Sequence, residues 1–190
     1  MVTAHDEDEL ALLYAHADAE ERFLLDYFLG SAVRDGEGAH AEYTDLKGNT
    51  LEIRRKPHLN WKPKKHHCRK ITIPQSLANA VRENEKTATS TLIFPNSEGK
   101  PNQHLLRKLQ GLATRAGAKF HTELHKLRKT CATRWALAGV PLHMIQKMLG
   151  HKSLATTQAY LADVDLSSGE MNQRIEHAAY SPKPKLAAAG

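Results

Sequence analysis

The sequence predicts an α+β fold that is mainly α-helical and contains one small antiparallel β-hairpin or sheet. Most of the chain places apolar residues at the spacing of amphipathic helices. Two stretches, 50–56 and 68–74, instead alternate apolar and polar residues as strands do. At 190 residues the chain can bury a core without a metal or a disulfide. We expect one domain over 1–165, a C-terminal helix over 166–180 and a disordered tail over 181–190.

The N-terminal part is predicted to be helical scaffold. Residues 7–29 place apolar side chains at helical spacing with acidic residues between them, which indicates one or two amphipathic helices. A turn-rich segment containing Arg34 follows, and it leads into a small helix near 36–43. Taken alone, Arg34 is expected to be a surface arginine that pairs with Asp35 or Glu37.

The two strand-like stretches flank the segment PHLNWKPKKHH, which is rich in turn formers and predicts a β-hairpin with a long tip. From residue 54 to residue 70 there are eight Lys and Arg residues and no acidic residue. Clustered positive charge attracts phosphates, so this hairpin can lie in a DNA groove or along a DNA backbone. The DNA contacts predicted here are Arg54, Arg55, Lys62, Lys65 and Arg69.

The rest of the chain is predicted to consist of helices joined by short connections. Helices are expected over 75–86, 103–116, 123–138, 141–149 and 153–161. Residues 91–95 are expected to form a short strand or an extended link. Gly150 is placed to adopt a left-handed cap, and Ser153 is placed to cap the last of these helices.

The charge of the chain is unevenly distributed. The first 45 residues contain twelve acidic and two basic residues, although the whole chain carries a formal charge of +6. The remaining residues are therefore strongly basic and favour a polyanionic partner, of which nucleic acid is the commonest. Charge alone also allows ribosomal, membrane-surface and heparin-like partners.

Several protein classes are disfavoured by the composition. The apolar runs are shorter than a membrane span, and the acidic first residues do not resemble a signal peptide. Cys68 and Cys131 form no C-x-x-C pair, which indicates free thiols in a reducing compartment. The His66-His67-Cys68 run has no second ligand cluster at zinc spacing, so we expect no metal and no cofactor. We expect a cytoplasmic protein without a membrane partner.

The strongest functional signal lies near the C-terminal end and combines the motifs H-K-L-R, L-G-H and a tyrosine. His125 and Arg128 are three positions apart and so share a helical face. Arg128 precedes His151 by 23 positions, and His151 precedes Tyr160 by nine. This H-x-x-R, L-G-H, Y pattern resembles that of the tyrosine recombinases, the phage integrase family. The resemblance covers roughly residues 24–164.

The resemblance implies the tyrosine-recombinase catalytic-domain fold and assigns roles to individual residues. Arg34, in an R-x-G-E pattern, and Arg128 are the active-site arginines that hold the phosphate. His125 accepts or orients a proton, and His151 donates a hydrogen bond to the phosphate. Tyr160 is the nucleophile that forms a 3′-phosphotyrosyl link.

In this family the hairpin presents a catalytic lysine near its tip. Lys62, Lys64 and Lys65 all compete for that role, and alignment on Arg69 and the following strand favours Lys64. Lys126 and Lys152, which lie beside the motifs, are further predicted DNA contacts.

The resemblance also implies partners and a function. The chain is expected to be a site-specific DNA recombinase that cleaves and rejoins double-stranded DNA. It is expected to self-associate on DNA as a tetrameric synapse through its C-terminal segment. The helical domain that precedes the catalytic domain in this family, and closes around DNA, is expected to be missing from this chain.

Two other functions fit part of the pattern. The helix, tight turn and helix around Gly150 have the outline of a helix-turn-helix DNA reader, with Lys152, Ser153, Thr156 and Thr157 facing bases. The chain would then be a DNA-binding protein that keeps the fold and does not cut. A type IB topoisomerase, which relaxes DNA through the same chemistry, is the other alternative.

Overall fold

The structure is a computed structural model that describes residues 4–64 and 68–161, except for the side chains of Ala159 and Tyr160. Its elements, in chain order, are the helices α1 (Glu7–His16), α2 (Ala19–Ser31) and α3 (Asp35–Ala39), the strands β1 (Leu46–Lys47), β2 (Thr50–Ile53) and β3 (Arg69–Thr72), and the helices α4 (Gln75–Lys86), α5 (Leu105–Arg115), α6 (Leu124–Leu137), α7 (Leu142–Leu149) and α8 (Leu154–Tyr160). Mainly helical architecture with a small antiparallel sheet is confirmed.

The predicted hairpin is present and belongs to a three-stranded antiparallel sheet in the order β1-β2-β3. Leu51 pairs with Ile71 in its central register, and both side chains are buried. The edge strand β1 was not predicted, because two residues are too short to show an alternating pattern. Residues 91–95 form two isolated bridges, Leu92 with Glu42 and Pro95 with Pro101, and thus an extended link.

The main core is built around α2, which packs against α4, α5 and α6. Tyr27 and Phe28 on α2 are fully buried, and the Tyr27 ring lies edge-on to Phe94 with centroids 5.1 Å apart. The acidic N-terminal region forms two helices because Asp18 begins a new one: its side chain accepts a hydrogen bond from the backbone N–H of Glu21, in a capping box.

A second, smaller apolar cluster joins the elements that carry the predicted active-site residues. We call it the site-side cluster; its members are Ala32, Cys131, Ala132, Ile145, Leu149 and Leu161. Ala32 lies two residues before Arg34, and Leu149 lies two residues before His151. Burial of these apolar side chains therefore fixes the end of α2, the middle of α6 and the end of α7 against one another.

The predicted caps around α7 and α8 are confirmed. Gly150 ends α7 in the left-handed conformation with φ +66°, and the Ser153 side chain accepts a hydrogen bond from the backbone of Thr156. Cys68 and Cys131 are both free thiols. No helix among residues 4–64 and 68–161 has both the length and the apolar character that crossing a bilayer requires. The helix expected over 166–180 and the tail over 181–190 lie outside the described residues.

Candidate active site

Arg128 on α6 is 1% exposed, and its guanidinium ties two neighbouring segments together. It donates one hydrogen bond to the carbonyl of Ala32 and another, 2.6 Å long, to the carbonyl of Leu149. A buried guanidinium is tolerated only when its N–H groups are hydrogen-bonded. Arg128 therefore links the end of α2 to the end of α7.

Arg34 lies at the N-terminus of α3, and its side chain is 28% exposed. Its guanidinium contacts Glu37 at 2.9 Å and also donates to the carbonyl of Leu149 at 3.3 Å. The expected pairing with Glu37 is thus present, and it coexists with a contact across the fold. Arg34 and Arg128 converge on the same carbonyl oxygen, although 94 positions separate them in the sequence.

Arg69 on β3, predicted as a DNA contact, is enclosed by protein groups in the structure. Its side chain is 6% exposed. The two terminal nitrogens donate to the two oxygens of Glu37, each at 2.7 Å, and Nε donates to the carbonyl of Met148 at 2.6 Å. Arg69 is therefore a buried fork between α3 and α7 instead of a surface charge.

We name the convergence of these groups the arginine-lined turn: residues 148–151 with Arg34, Arg69 and Arg128. The carbonyls of Met148 and Leu149, at the C-terminal end of α7, accept from the three guanidinium groups, which is where cations stabilise a helix. A Cβ at Gly150 would lie 3.0 Å from Cδ of Arg69. The turn needs glycine both for its positive φ and for this close approach.

The two predicted histidines lie in the electric field of this turn. Burial lowers the pKa of His151 to about 4, with further lowering by Arg128, Arg34, Arg69 and His125. Burial also lowers the pKa of His125; Arg128, Arg34 and Lys129 act in the same direction, and Glu123 opposes them. Both imidazoles are therefore neutral at pH 7 in the DNA-free protein.

His151 is oriented by contacts on both sides of the turn. Its Nδ1 lies 3.0 Å from the hydroxyl of Thr157, a fully buried residue of α8. Its backbone N–H donates to the carbonyl of Gln146 at 3.1 Å. The imidazole is thus held between α7 and α8.

Tyr160 is the last residue of α8, and the position of its phenol lies outside the described part of the structure. Leu161, the next residue, is buried in the site-side cluster. The backbone beside Tyr160 is therefore anchored next to the segments that carry Arg34, Arg128 and His151. The nucleophile role stays a prediction.

The hairpin has a fixed base and an exposed approach to its tip. Lys56 is buried, donates to Asp45 and to the carbonyl of His40, and lies 5.9 Å from the centroid of the Trp61 ring. Lys62 and Lys64 beyond it are exposed. Lys65 lies outside the described residues, and the choice of Lys64 among the three lysines stays a prediction.

Among the remaining predicted DNA contacts, some side chains are exposed and others form ion pairs with acidic residues of the protein. Arg55 and Lys152 are exposed. The side chain of Arg54 is 42% exposed and pairs with Asp45 at 2.8 Å. Lys126 is buried, and its ammonium contacts Glu9 of α1 at 2.8 Å; its contact with DNA stays a prediction. Helix α1 covers this face of α6, which sequence spacing alone did not indicate.

The residue that sequence reasoning undervalued is Glu37. It was considered only as a surface partner of Arg34, yet it is buried and accepts hydrogen bonds from both Arg34 and Arg69. Burial by itself would raise the pKa of Glu37, but the two arginines outweigh it and hold that pKa at about 2. The R-x-G-E pattern included Glu37, but nothing in the sequence indicated that Arg69 on β3 would be its second partner.

Metal chemistry has no evident site in what the structure describes. Among residues 4–64 and 68–161, no group of three His, Cys, Asp or Glu side chains is arranged to hold a metal ion.

Comparison with known proteins identifies relatives in the family that the sequence motifs resemble. The phage integrase family matches residues 4–166. Tyrosine recombinase XerD of Rhizobium meliloti (strain 1021) is 31% identical over 164 residues, which are 81% of this chain and 49% of XerD. Transposase B from transposon Tn554 of Staphylococcus aureus (strain Mu50 / ATCC 700699) is 33% identical over 111 residues, which are 53% of this chain and 18% of the transposase. The chain therefore spans about half or less of the length of these two relatives.

Solved structures share the fold. The crystal structure of XerA recombinase gives a TM-score of 0.72 at 22% identity and covers 97% of this chain and 65% of the XerA chain. The integrase of transposon Tn1549 in complex with a circular intermediate DNA gives a TM-score of 0.70 at 17% identity, covering 92% of this chain and 66% of that one. With the match over residues 4–166, these findings show that the chain belongs to the phage integrase family of tyrosine recombinases.

Proposed function

We propose that the chain is the catalytic part of a site-specific DNA recombinase that cleaves and rejoins DNA through a 3′-phosphotyrosyl intermediate. The observation that supports this most is the convergence of the Arg34 and Arg128 guanidinium groups on the turn that carries His151. Family membership supports it independently. The Tn1549 integrase was solved with DNA, which supports double-stranded DNA as the partner of this chain as well.

The chemistry explains why such groups are needed together. A phosphodiester repels nucleophiles because its oxygens are negative, and a tyrosine with a pKa of about 10 is only about one part in a thousand ionised at pH 7. Arginine has five N–H donors, so a guanidinium can hold protein carbonyls on one edge and a phosphate oxygen on another. Charge that develops on the pentacoordinate phosphorus is then stabilised by groups already in place.

In the proposed cleavage step, the oxygen of Tyr160 forms a bond to phosphorus and the bond from phosphorus to the 5′-oxygen breaks. The phenol proton passes to His125, whose neutral imidazole can accept it. His151 hydrogen-bonds to the phosphate, and Lys64 gives a proton to the leaving 5′-oxygen. The phosphotyrosyl bond keeps the energy of the phosphodiester, so a new 5′-hydroxyl can reseal the strand without ATP.

The two alternatives are less well supported. A non-cleaving DNA reader would use the α7–α8 turn to face bases, but His151 there is held by Thr157 and lies among three arginines. A type IB topoisomerase would share the cleavage chemistry, but the matched relatives are recombinases and transposon proteins. Strand exchange between two sites, measured beside relaxation of one supercoiled circle, separates the topoisomerase from the recombinase.

The decisive experiment is capture of the covalent intermediate. Binding sites are first selected from a random duplex library, and a nick is then placed near the cleavage position so that the cut strand end diffuses away. The wild-type chain should give a protein–DNA adduct that resists denaturant, and Tyr160→Phe should give none while still binding the duplex. Tyr14→Phe on α1 is the matched control and should form the adduct as the wild type does. Absence of an adduct with selected, bound DNA would overturn the proposal.

The assembly and location of the activity are also proposed from family membership. Copies of the chain would associate on DNA as a tetrameric synapse, with the segment 166–180 passing between neighbours. Truncation after residue 165 should then leave cleavage of a single site intact and reduce exchange between two sites. The activity would be cytoplasmic, where a DNA substrate is present.

A further inference from the structure

We propose that Arg69 is a positioning residue for strand cleavage, fixing Arg34 through Glu37 and fixing the His151 turn through the carbonyl of Met148. The proposal rests on the proposed function, because it concerns the same site. The three hydrogen bonds of Arg69 described above all go to protein groups.

The first step of the argument is the shared carboxylate. One oxygen of Glu37 accepts from Arg69 at 2.7 Å and from Arg34 at 2.9 Å. The other accepts from Arg69 at 2.7 Å and from the backbone N–H of Arg34 at 2.8 Å. Each oxygen of Glu37 thus accepts hydrogen bonds from both arginines. Without Arg69, the Glu37 carboxylate would be free to move, and Arg34 would lose its fixed partner.

The second step is the contact with the turn. Nε of Arg69 holds the carbonyl of Met148, three residues before His151. The aliphatic part of Arg69 lies against the α-carbon side of Gly150, where even a methyl group would be only 3.0 Å from Cδ. The Arg69 side chain therefore fixes both the position of the C-terminal end of α7 and the orientation of the Arg34 side chain.

The third step concerns the kind of side chain required. A planar fork can engage both oxygens of a carboxylate with its two terminal nitrogens and still donate from Nε to a third acceptor in the same plane. A lysine carries the same charge but offers a single ammonium, so it cannot hold Glu37 bidentately and reach Met148. Arg69→Lys therefore separates positioning from charge.

The test compares wild type with Arg69→Lys and Arg69→Met. Arg22→Met is the control for loss of an arginine, because Arg22 is exposed on the first turn of α2, far from the site. Each protein is first shown to be folded by urea denaturation. The rate of adduct formation is then measured on the nicked duplex over a range of DNA concentrations and of salt.

Positioning predicts that both Arg69 variants react about a hundredfold more slowly at saturating DNA. Their dissociation constants for the duplex should stay within about threefold of wild type, with an unchanged salt dependence. A DNA-contacting arginine would instead lower the log-log salt slope by about one. If Arg69→Lys reacts at the wild-type rate, or if the slope falls, the positioning role is wrong.

A measurement without DNA separates this proposal from the proposed function. The charged and titratable groups around His151 are Arg128 and His125 on α6, Arg34 before α3 and Arg69 on β3. Arg69→Lys keeps the charge, so a shifted NMR signal of the His151 imidazole in that variant reports displacement of the turn, and Arg22→Met should leave the signal unchanged. If the wild type forms no adduct but the Arg69 variant shows the NMR shift, only the proposed function is wrong. If the wild type forms the adduct but the Arg69 variant shows no NMR shift, only the positioning role is wrong.

Discussion

The arginine-lined turn and the hairpin tip carry the same kind of charge in opposite physical settings. In the turn, the three guanidinium groups are mostly buried and hydrogen-bonded to carbonyls and to Glu37. On the way to the hairpin tip, Lys62 and Lys64 are exposed. The first set has little freedom to lose when a phosphate arrives, whereas exposed lysines lose rotamer entropy on binding.

This difference separates two tasks that a basic DNA-processing surface must perform. Fixed guanidinium groups suit the stabilisation of a transition state, because they need no reorganisation during the reaction. Exposed ammonium groups suit attraction of the DNA and delivery of a proton to its leaving oxygen. Substitutions in the turn should therefore disturb folding and chemistry together, and those in the hairpin should disturb only DNA-dependent properties.

The largest expected effect on stability comes from Gly150→Ala. Alanine at positive φ costs about 1 kcal/mol, and at Gly150 its methyl group must also displace Arg69. We expect the free energy of unfolding to fall by about 2–3 kcal/mol in urea denaturation. Gly48→Ala is the matched control, since Gly48 has φ +61° and nothing within 4 Å of an added Cβ. Equal losses at both glycines would show that the turn is not tightly packed.

Lowering the pH is expected to have an intermediate effect on the free energy of unfolding. His151 has its pKa lowered to about 4 from an ordinary 6.5, so the unfolded state binds more protons between these pH values. The free energy of unfolding should therefore fall as pH drops through that window, by at most about 1.4 kcal/mol per pH unit for one histidine.

His151→Gln should flatten this dependence, with His143→Gln on the exposed side of α7 as the control for losing an imidazole. Glu37 acts in a separate window: with its pKa held at about 2 instead of 4.5, its contribution is lost as pH falls from 4.5 towards 2. If the free energy of unfolding of His151→Gln depended on pH above 4.5 just as that of wild type does, the lowered pKa assigned to His151 would be wrong.

The smallest effect on folding is expected at the hairpin. Lys64→Ala and Lys62→Ala should each change the free energy of unfolding by less than about 0.5 kcal/mol, because both side chains are exposed. Each should lower the log-log salt slope of DNA binding by about one.

Only the proton-donating lysine should also slow cleavage. A substrate with sulfur in place of the leaving 5′-oxygen needs no proton, so it should restore the cleavage rate of that variant alone. Rescue of Lys62→Ala and not of Lys64→Ala would reassign the role.

The sequence was a good guide where the signal was local. Helical spacing located α4 to α8 within a few residues, and the glycine and serine signals gave the ends of α7 and the start of α8. The H-x-x-R, L-G-H motifs identified residues that the fold does bring together. Each of these signals depends on neighbours within one or two helical turns.

The sequence was a poor guide where the partner of a basic residue lies far away in the chain. Arg69 and Lys126 were taken for DNA contacts because each lies in a basic stretch. Glu37 and Glu9, 32 and 117 positions away, bury them in ion pairs. No periodicity in the sequence encodes which acid meets which base across a fold, so a basic run overestimates the charge available to a ligand.

The carbonyl oxygen of Leu149 accepts hydrogen bonds from Arg34 and Arg128 at once. A shift of this one oxygen therefore alters both guanidinium groups together. A single isotope label at the carbonyl carbon of Leu149 would consequently act as a spectroscopic gauge of whether the catalytic apparatus is assembled, read in solution without any substrate.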